Sequence, residues 1–216
     1  MCLILTSWQS HPEYPLVVLA NRDEFYERAT DPMHWWDDHP HILAGRDRAD
    51  VKGQAGTWMG ISKTGRFAAI TNVRAPSEKN PDAQTRGEIT AKFLKTSDSP
   101  EIFIDTQGHT FNRYNGFNLL ATDLSSKDPI LVWLSNRILM GKNLRPRKVM
   151  NPQRLNPGIY GLSNGMLDTP WPKVQHRVGA FAQLLAMDTG QFKRSEHYLR
   201  AMEDMTQAPD DYLPQT

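Results

Sequence analysis

The sequence predicts an α+β fold in which antiparallel sheets are layered with helices. Three observations lead there. Short β-rich runs recur over residues 3–72 and again at 117–134 and 158–163. Apolar residues fall at helical spacing in the stretches between and after them. The blocks come in the order strands, helices, strands, helices, an order that suits sheets covered by helices.

Each element has a local reason. Leu3–Trp8 and Leu16–Ala20 are β-rich, and His11-Pro12-Glu13-Tyr14-Pro15 between them is a hairpin connection. Strands follow at Ile42–Gly45, Thr57–Ser62 and Arg66–Asn72, the last two joined by Lys63-Thr64-Gly65 with its turn glycine. Asn80-Pro81-Asp82 breaks the pattern before a helix at about 84–95, where Ile89 and Phe93 share a face. A second helical stretch, 99–113, contains Gly108. Phe117–Thr122 and Ile130–Leu134 are strands around the polar turn Asp123–Asp128. Lys142–Arg154 is basic and carries prolines, so it reads as a loop. Gly158–Ser163 is a strand. The helix from about 171 has Pro172 in its first turn and an apolar stripe of Val174, Val178, Phe181 and Leu185. A final helix is expected at 194–205. No repeat or linker divides the chain, so a single domain over 1–216 is expected.

Composition excludes several function classes. A net charge of +1 leaves no electrostatic footprint for nucleic acid. No run approaches the roughly 20 apolar residues of a membrane-spanning helix, so no stable membrane insertion is expected. No signal peptide is visible. One cysteine cannot form an internal disulfide and fits a reducing compartment, which predicts a cytoplasmic protein.

That cysteine is residue 2. Methionine aminopeptidases remove Met1 when a small residue follows, which would leave Cys2 with a free α-amine. Amine and thiol have reference pKa values of about 8 and about 8.5, so the amine can act as general base for its own thiol. Cys2 is equally a small hydrophobe that suits a strand. If the first two strands pair antiparallel, Asn21-Arg22-Asp23-Glu24 returns to the start of the chain. There Arg22 would favour the thiolate and Asp23 would orient the α-ammonium; alternatively the two form a structural ion pair. Asn72 and Asn164 each end a strand. A side-chain amide there either donates to a developing oxyanion or simply makes a turn.

Together these residues resemble the NRDE family, which includes the transport and Golgi organisation proteins. Beside M-C-L-I and N-R-D-E, the blocks A-G-R-D (44–47), A-G-T-W-M-G-I-S-K-T-G-R-F-A-A-I-T-N-V-R (55–74) and Y-G-L-S-N-G-M-L-D-T-P-W-P-K-V (160–174) look like that family's. The family is in turn similar to the choloylglycine hydrolase branch of N-terminal nucleophile hydrolases. The resemblance implies a four-layer αββα sandwich of antiparallel sheets. It implies Cys2 as nucleophile, Arg22 and Asp23 as its supports, and Asn72 and Asn164 as oxyanion donors. Asn21, Trp58 and Arg74, within the same blocks, are expected to contact ligand. The family usually continues to a late strand with a Y-G-T-R-S-type sequence, and the chain ends at Thr216 without it. Either the sequence is a piece of a longer chain or the expected fold lacks its last strands.

The resemblance also implies function, because the family has been linked to haem trafficking and to acyl-lipid metabolism. The expected function is a small-molecule carrier or chaperone for haem or for an amphipathic lipid or acyl-CoA. The alternative is a Cys2-dependent amide or thioester hydrolase or acyltransferase. No cofactor is required on this reading, and haem enters as a possible bound ligand. There is no C-x-x-C-H, so covalent haem is not expected. The run Lys142–Lys148 would meet haem propionates or phosphates, or is simply a solvated loop. In H-W-W-D-D-H-P-H (34–41) the residues His34, Asp37, Asp38, His39 and His41 invite a metal, but Pro40 interrupts the spacing and a surface loop is expected. Trp35 and Trp36 either pack at the core edge or line a ligand lip.

Overall fold

The structure is a computed structural model that describes residues 2–48, 56–74, 80–140, 143–147, 150–188, 196–200 and 202–203. Among them the strands are β1 (Leu3–Trp8), β2 (Leu16–Asn21), β3 (Thr30–Trp35), β4 (Ile42–Asp47), β5 (Met59–Ser62), β6 (Arg66–Asn72), β7 (Phe117–Asp123), β8 (Leu131–Ser135), β9 (Arg137–Met140), β10 (Asn143–Pro146), β11 (Gln153–Leu155) and β12 (Gly158–Leu162). The helices are α1 (Gly87–Lys95), α2 (Pro100–Gln107), α3 (Pro172–Met187) and α4 (Glu196–Arg200), and a 3-10 helix covers Gly108–Arg113. Two compact units form, one from Met1–Asp23 with Asn156–Thr216 and one from Glu24–Leu155.

The first unit holds an antiparallel sheet in the order β12-β1-β2. Its central strand β1 is buried along its whole length. Leu3 and Leu5 alternate onto one face and pack with Val174, Phe181 and Leu185 of α3 and Tyr198 of α4. This is the apolar stripe expected of the helix from 171, and Pro172 occupies its first turn. The β1–β2 connection is pinned by His11, which is buried. Its Nδ1 accepts from the backbone N–H groups of Glu13 (3.1 Å) and Tyr14 (3.2 Å). The ring proton therefore sits on Nε2, which donates to the Asp188 carbonyl at 3.2 Å. The Tyr198 hydroxyl donates to the Asp188 carboxylate at 2.5 Å. One residue at the end of α3 thus ties the first hairpin to α4.

The second unit holds a seven-stranded antiparallel sheet in the order β11-β8-β7-β6-β5-β4-β3. Helix α1 covers β4–β6, and α2 packs on β7 and β8. Their shared core is aromatic: Phe93 meets Phe103 and Phe111 meets Phe117 edge-on, each pair at 5.3 Å. Gly108 marks where the expected helix 99–113 changes from α to 3-10 geometry.

Several local expectations need correction. His34 and Trp35 of the expected surface loop instead end strand β3, and Pro32 fits because β3 is an edge strand with a register shift between Asp31 and His34. Trp36 is fully buried and its indole N–H donates to the Ala44 carbonyl at 3.1 Å, which places it in the core; Trp35 is exposed. The ring of Trp36 also lies under the Arg46 guanidinium at 3.9 Å, and Arg46 pairs with Asp38. His34 contacts the Pro32 carbonyl at 2.8 Å, and His39 meets His41 edge-on at 5.9 Å. Among the described residues no group of three His, Cys, Asp or Glu could hold a metal ion. Residues 142–154 are not one loop, since β9 and β10 pair as a hairpin and β11 joins β8 at the sheet edge. The expected helix 194–205 is described as α4; residues 194–195, 201 and 204–205 lie outside the described residues. Among the described residues no helix is long and apolar enough to cross a membrane.

Candidate functional site

In the first unit, strand register gathers the residues expected around Cys2. Leu3 stands opposite Asn21, so one step outward carries Cys2 toward Arg22. On the other side Ile4 stands opposite Leu162, and two steps outward carry Cys2 toward Asn164. The placement is fixed by direct contacts. The Ser163 hydroxyl donates to the Cys2 carbonyl at 2.7 Å, and the Lys173 ammonium approaches the same oxygen at 3.5 Å. Cys2 and Arg22 are half-buried, Asn164 is buried, and Asn21 and Asp23 are exposed. The Asn21 side-chain amide donates to the Met202 carbonyl at 3.3 Å, which holds the end of β2.

Lys173 was not singled out from the sequence. It sits in the first turn of α3, directly after Pro172. A helix N-terminus favours anions, so a cation there is unusual. That mismatch, in a turn with no acidic residue, was the available signal. Burial lowers the Lys173 pKa, and the charges of Asp23 and Cys2 pull it back up. The side chain also lies 5.8 Å from the ring of Trp171. Among the described residues, then, the charges of Asp23 and Cys2 both reach Lys173 at this end of the β12-β1-β2 sheet.

The segment that delivers Asn164 is closed by Asp168. Its carboxylate accepts the Gly161 N–H at 2.8 Å, and its own N–H donates to the Gly161 carbonyl at 2.9 Å. Its φ of 53° lies in the left-handed region. Burial raises the Asp168 pKa, and the Gly161 N–H offsets this in part. The sign follows from linkage: the ionised form is less favoured folded than unfolded. The stability this group contributes is complete below its ordinary value of 3.8 and falls as pH rises through the higher folded value. Asp168→Asn keeps the acceptor, removes the charge and suits a left-handed φ. It is expected to match or exceed wild-type stability at pH 7 by up to about 1 kcal/mol and to flatten this limb of the pH profile. Asp168→Ala is expected to lose about 1–2 kcal/mol. Thermal melts of both variants between pH 3 and 7 check this; an Asn variant as unstable as the Ala variant would contradict it.

The remaining expected site residues belong to the second unit. Asn72 ends β6 and is exposed, and Arg74 follows half-buried. Trp58 is half-buried against the aromatic core; a Cβ at Gly45 would lie 2.6 Å from its ring, so this glycine is what lets the indole sit flat on β4.

The model of the Transport and Golgi organisation 2 family matches residues 1–216. The chain belongs to that family. Among curated relatives, the mouse (Mus musculus) Transport and Golgi organization 2 homolog is 40% identical over 183 residues, covering 81% of this chain and 60% of that protein. The human (Homo sapiens) homolog is 37% identical, again over 81% and 60%. The Drosophila melanogaster Transport and Golgi organization protein 2 is 27% identical over 82% of this chain and 62% of its own length. The chain thus spans about three fifths of the length of the curated relatives it matches. A solved structure similar to this family member is the Caenorhabditis elegans N-acylethanolamine-hydrolyzing acid amidase ortholog, with a TM-score of 0.53 at 7% identity over 94% of this chain and 86% of that one. At that identity the likeness is one of fold, and it gives the chain an N-terminal nucleophile hydrolase-like architecture of antiparallel sheets and helices.

Proposed function

We propose that this chain is a cytoplasmic carrier for an amphipathic ligand with an anionic end, an acyl thioester or haem being the two chemistries of that kind. The observation that carries the reading is Lys173, a partly desolvated cation held beside Cys2 and within reach of the Asp23 charge. A charged donor with little water around it recognises a carboxylate or phosphate more strongly than an exposed lysine does. Arg22, brought to the same strand end, adds a second positive group. On this reading Asn21 contacts the ligand, and no cofactor is needed.

Titration with a fluorescent acyl-CoA and, separately, with haem tests it. Lys173→Met is expected to weaken binding of the true ligand by about tenfold, the loss of one charge-assisted hydrogen bond. Cys2→Ala is expected to leave binding within about twofold. Unchanged affinity in Lys173→Met for both ligands would overturn the proposal.

A second reading is supported by Cys2 and Asn164 lying at adjacent strand ends. With Met1 removed, the Cys2 thiolate attacks the carbonyl of an amide or thioester and the Cys2 S–C bond forms. The side-chain amide of Asn164 stabilises the oxyanion, and Arg22 and Asp23 hold the thiolate and the α-amine. The amine passes the thiol's proton to the departing amine or thiol as its bond to carbon breaks. Water then hydrolyses the acyl-cysteine. An acyl adduct on Cys2 in intact mass spectra, absent in Cys2→Ala, would favour this reading over the carrier.

A further inference from the structure

From Pro129 to Leu167 the sequence contains six Lys or Arg residues and no Asp or Glu, so the rest of the chain carries a net −5. One of the six, Arg154, is engaged by Glu101 through two short contacts at 2.6 and 2.7 Å. Another, Arg137, is buried at the base of β9. Among the described residues, Arg145 on β10 is exposed and Arg147, just after it, is half-buried.

This hairpin is anchored at one end and apolar at the other. At its base the Asn136 side chain accepts the Phe117 N–H at 2.8 Å and donates to the Phe111 carbonyl at 3.2 Å. The Arg147 N–H donates to the Asn136 carbonyl at 2.9 Å. Beyond the base, three consecutive apolar side chains are exposed: Ile138 at 38%, Leu139 at 58% and Met140 at 61%. Alternation puts Leu139 on the opposite face from Ile138 and Met140, so neither face of this two-stranded sheet is a core face. Among the described residues, this run of exposed apolar side chains lies outside the unit's core cluster. Cross-strand, Arg145 stands opposite Ile138, which sets a cation beside the apolar end.

We propose that the β9–β10 strand pair docks this protein reversibly on an anionic lipid surface, with Leu139 and Met140 entering the headgroup boundary and Arg145 facing lipid phosphates. Apolar insertion and basic residues are the two signals that reversible membrane association requires together. A hairpin with one buried face would suit a protein groove. Apolar residues on both faces, with Arg145 beside them, suit a medium that surrounds the element.

Flotation of the full chain with vesicles tests it, using pure phosphatidylcholine and the same lipid with about 30% phosphatidylserine. Wild type is expected to float with the anionic vesicles and to be released as salt rises through about 0.5 M. Leu139→Ser/Met140→Ser is expected to lose at least about tenfold in partitioning, and Arg145→Glu a similar amount. Both variants should melt with wild type, because the altered side chains are exposed. Equal binding to pure phosphatidylcholine, no binding to either vesicle, or unchanged flotation of both variants would overturn the proposal. So would a lipid-free dimer in sedimentation velocity that Leu139→Ser/Met140→Ser abolishes, since the occupant would then be a second copy of this chain.

Discussion

Arg66→Ala is expected to lower the free energy of unfolding by about 3–5 kcal/mol, the cost of breaking a buried charge network from one side. Arg66 starts β6 and is 4% exposed. Its guanidinium pairs with Asp123 at 3.0 Å and donates to the carbonyls of Phe93 (3.3 Å) and Asp98 (2.5 Å). It also lies 4.2 Å over the Phe93 ring. Phe93 is in the last turn of α1, where carbonyls lack helical partners, so Arg66 caps α1 from the sheet. Burial depresses the Arg66 pKa while Asp123 and Asp98 pull it back. Alanine would strip the cap, unpair Asp123 and open a void beside Phe93. The midpoint of thermal unfolding should fall by roughly 10 °C. Arg66→Lys should recover part of the loss at most, because an ammonium cannot span three acceptors in different directions. A melt of Arg66→Ala within about 1 kcal/mol of wild type would refute this account.

Gly161→Ala is expected to cost about 1–3 kcal/mol by overpacking and to weaken ligand binding as well. A Cβ on Gly161 would lie 2.5 Å from Val174 Cγ1 and 2.7 Å from Val178 Cγ2. Valine side chains are stiff, so α3 would have to retreat from β12. Lys173 precedes Val174, and its approach to the Cys2 carbonyl depends on how closely α3 sits on the sheet. Gly161→Ala/Val174→Ala should regain part of both stability and affinity, because the second change removes the closer of the two clashes. If the double variant is no better than Gly161→Ala, the contact between β12 and α3 is not what positions Lys173.

Both predictions rest on distant contacts, whereas much of the architecture is set locally. The β1–β2 hairpin was legible because alternation and the prolines of His11–Pro15 act within a few residues. That reading returned residues 21–24 to the Cys2 end, as the observed register does. The apolar stripe of α3 was legible for the same reason, since helical period is a property of consecutive residues. Strands β3, β10 and β11 were hidden because edge strands carry prolines and charges that imitate loops, and only pairing with a neighbour makes them strands. From sequence Trp36 stands open between the core edge and a ligand lip, and the Ala44 carbonyl of β4, which accepts its N–H, decides for the core. Local pattern carries the family, the order of the main elements and the candidate residues Cys2, Arg22, Asp23, Asn72 and Asn164. Lys173 beside Cys2 and Arg66 at the end of α1 emerge from packing alone. Charge partners so far apart in sequence are chosen by packing, and no local pattern of residues encodes them.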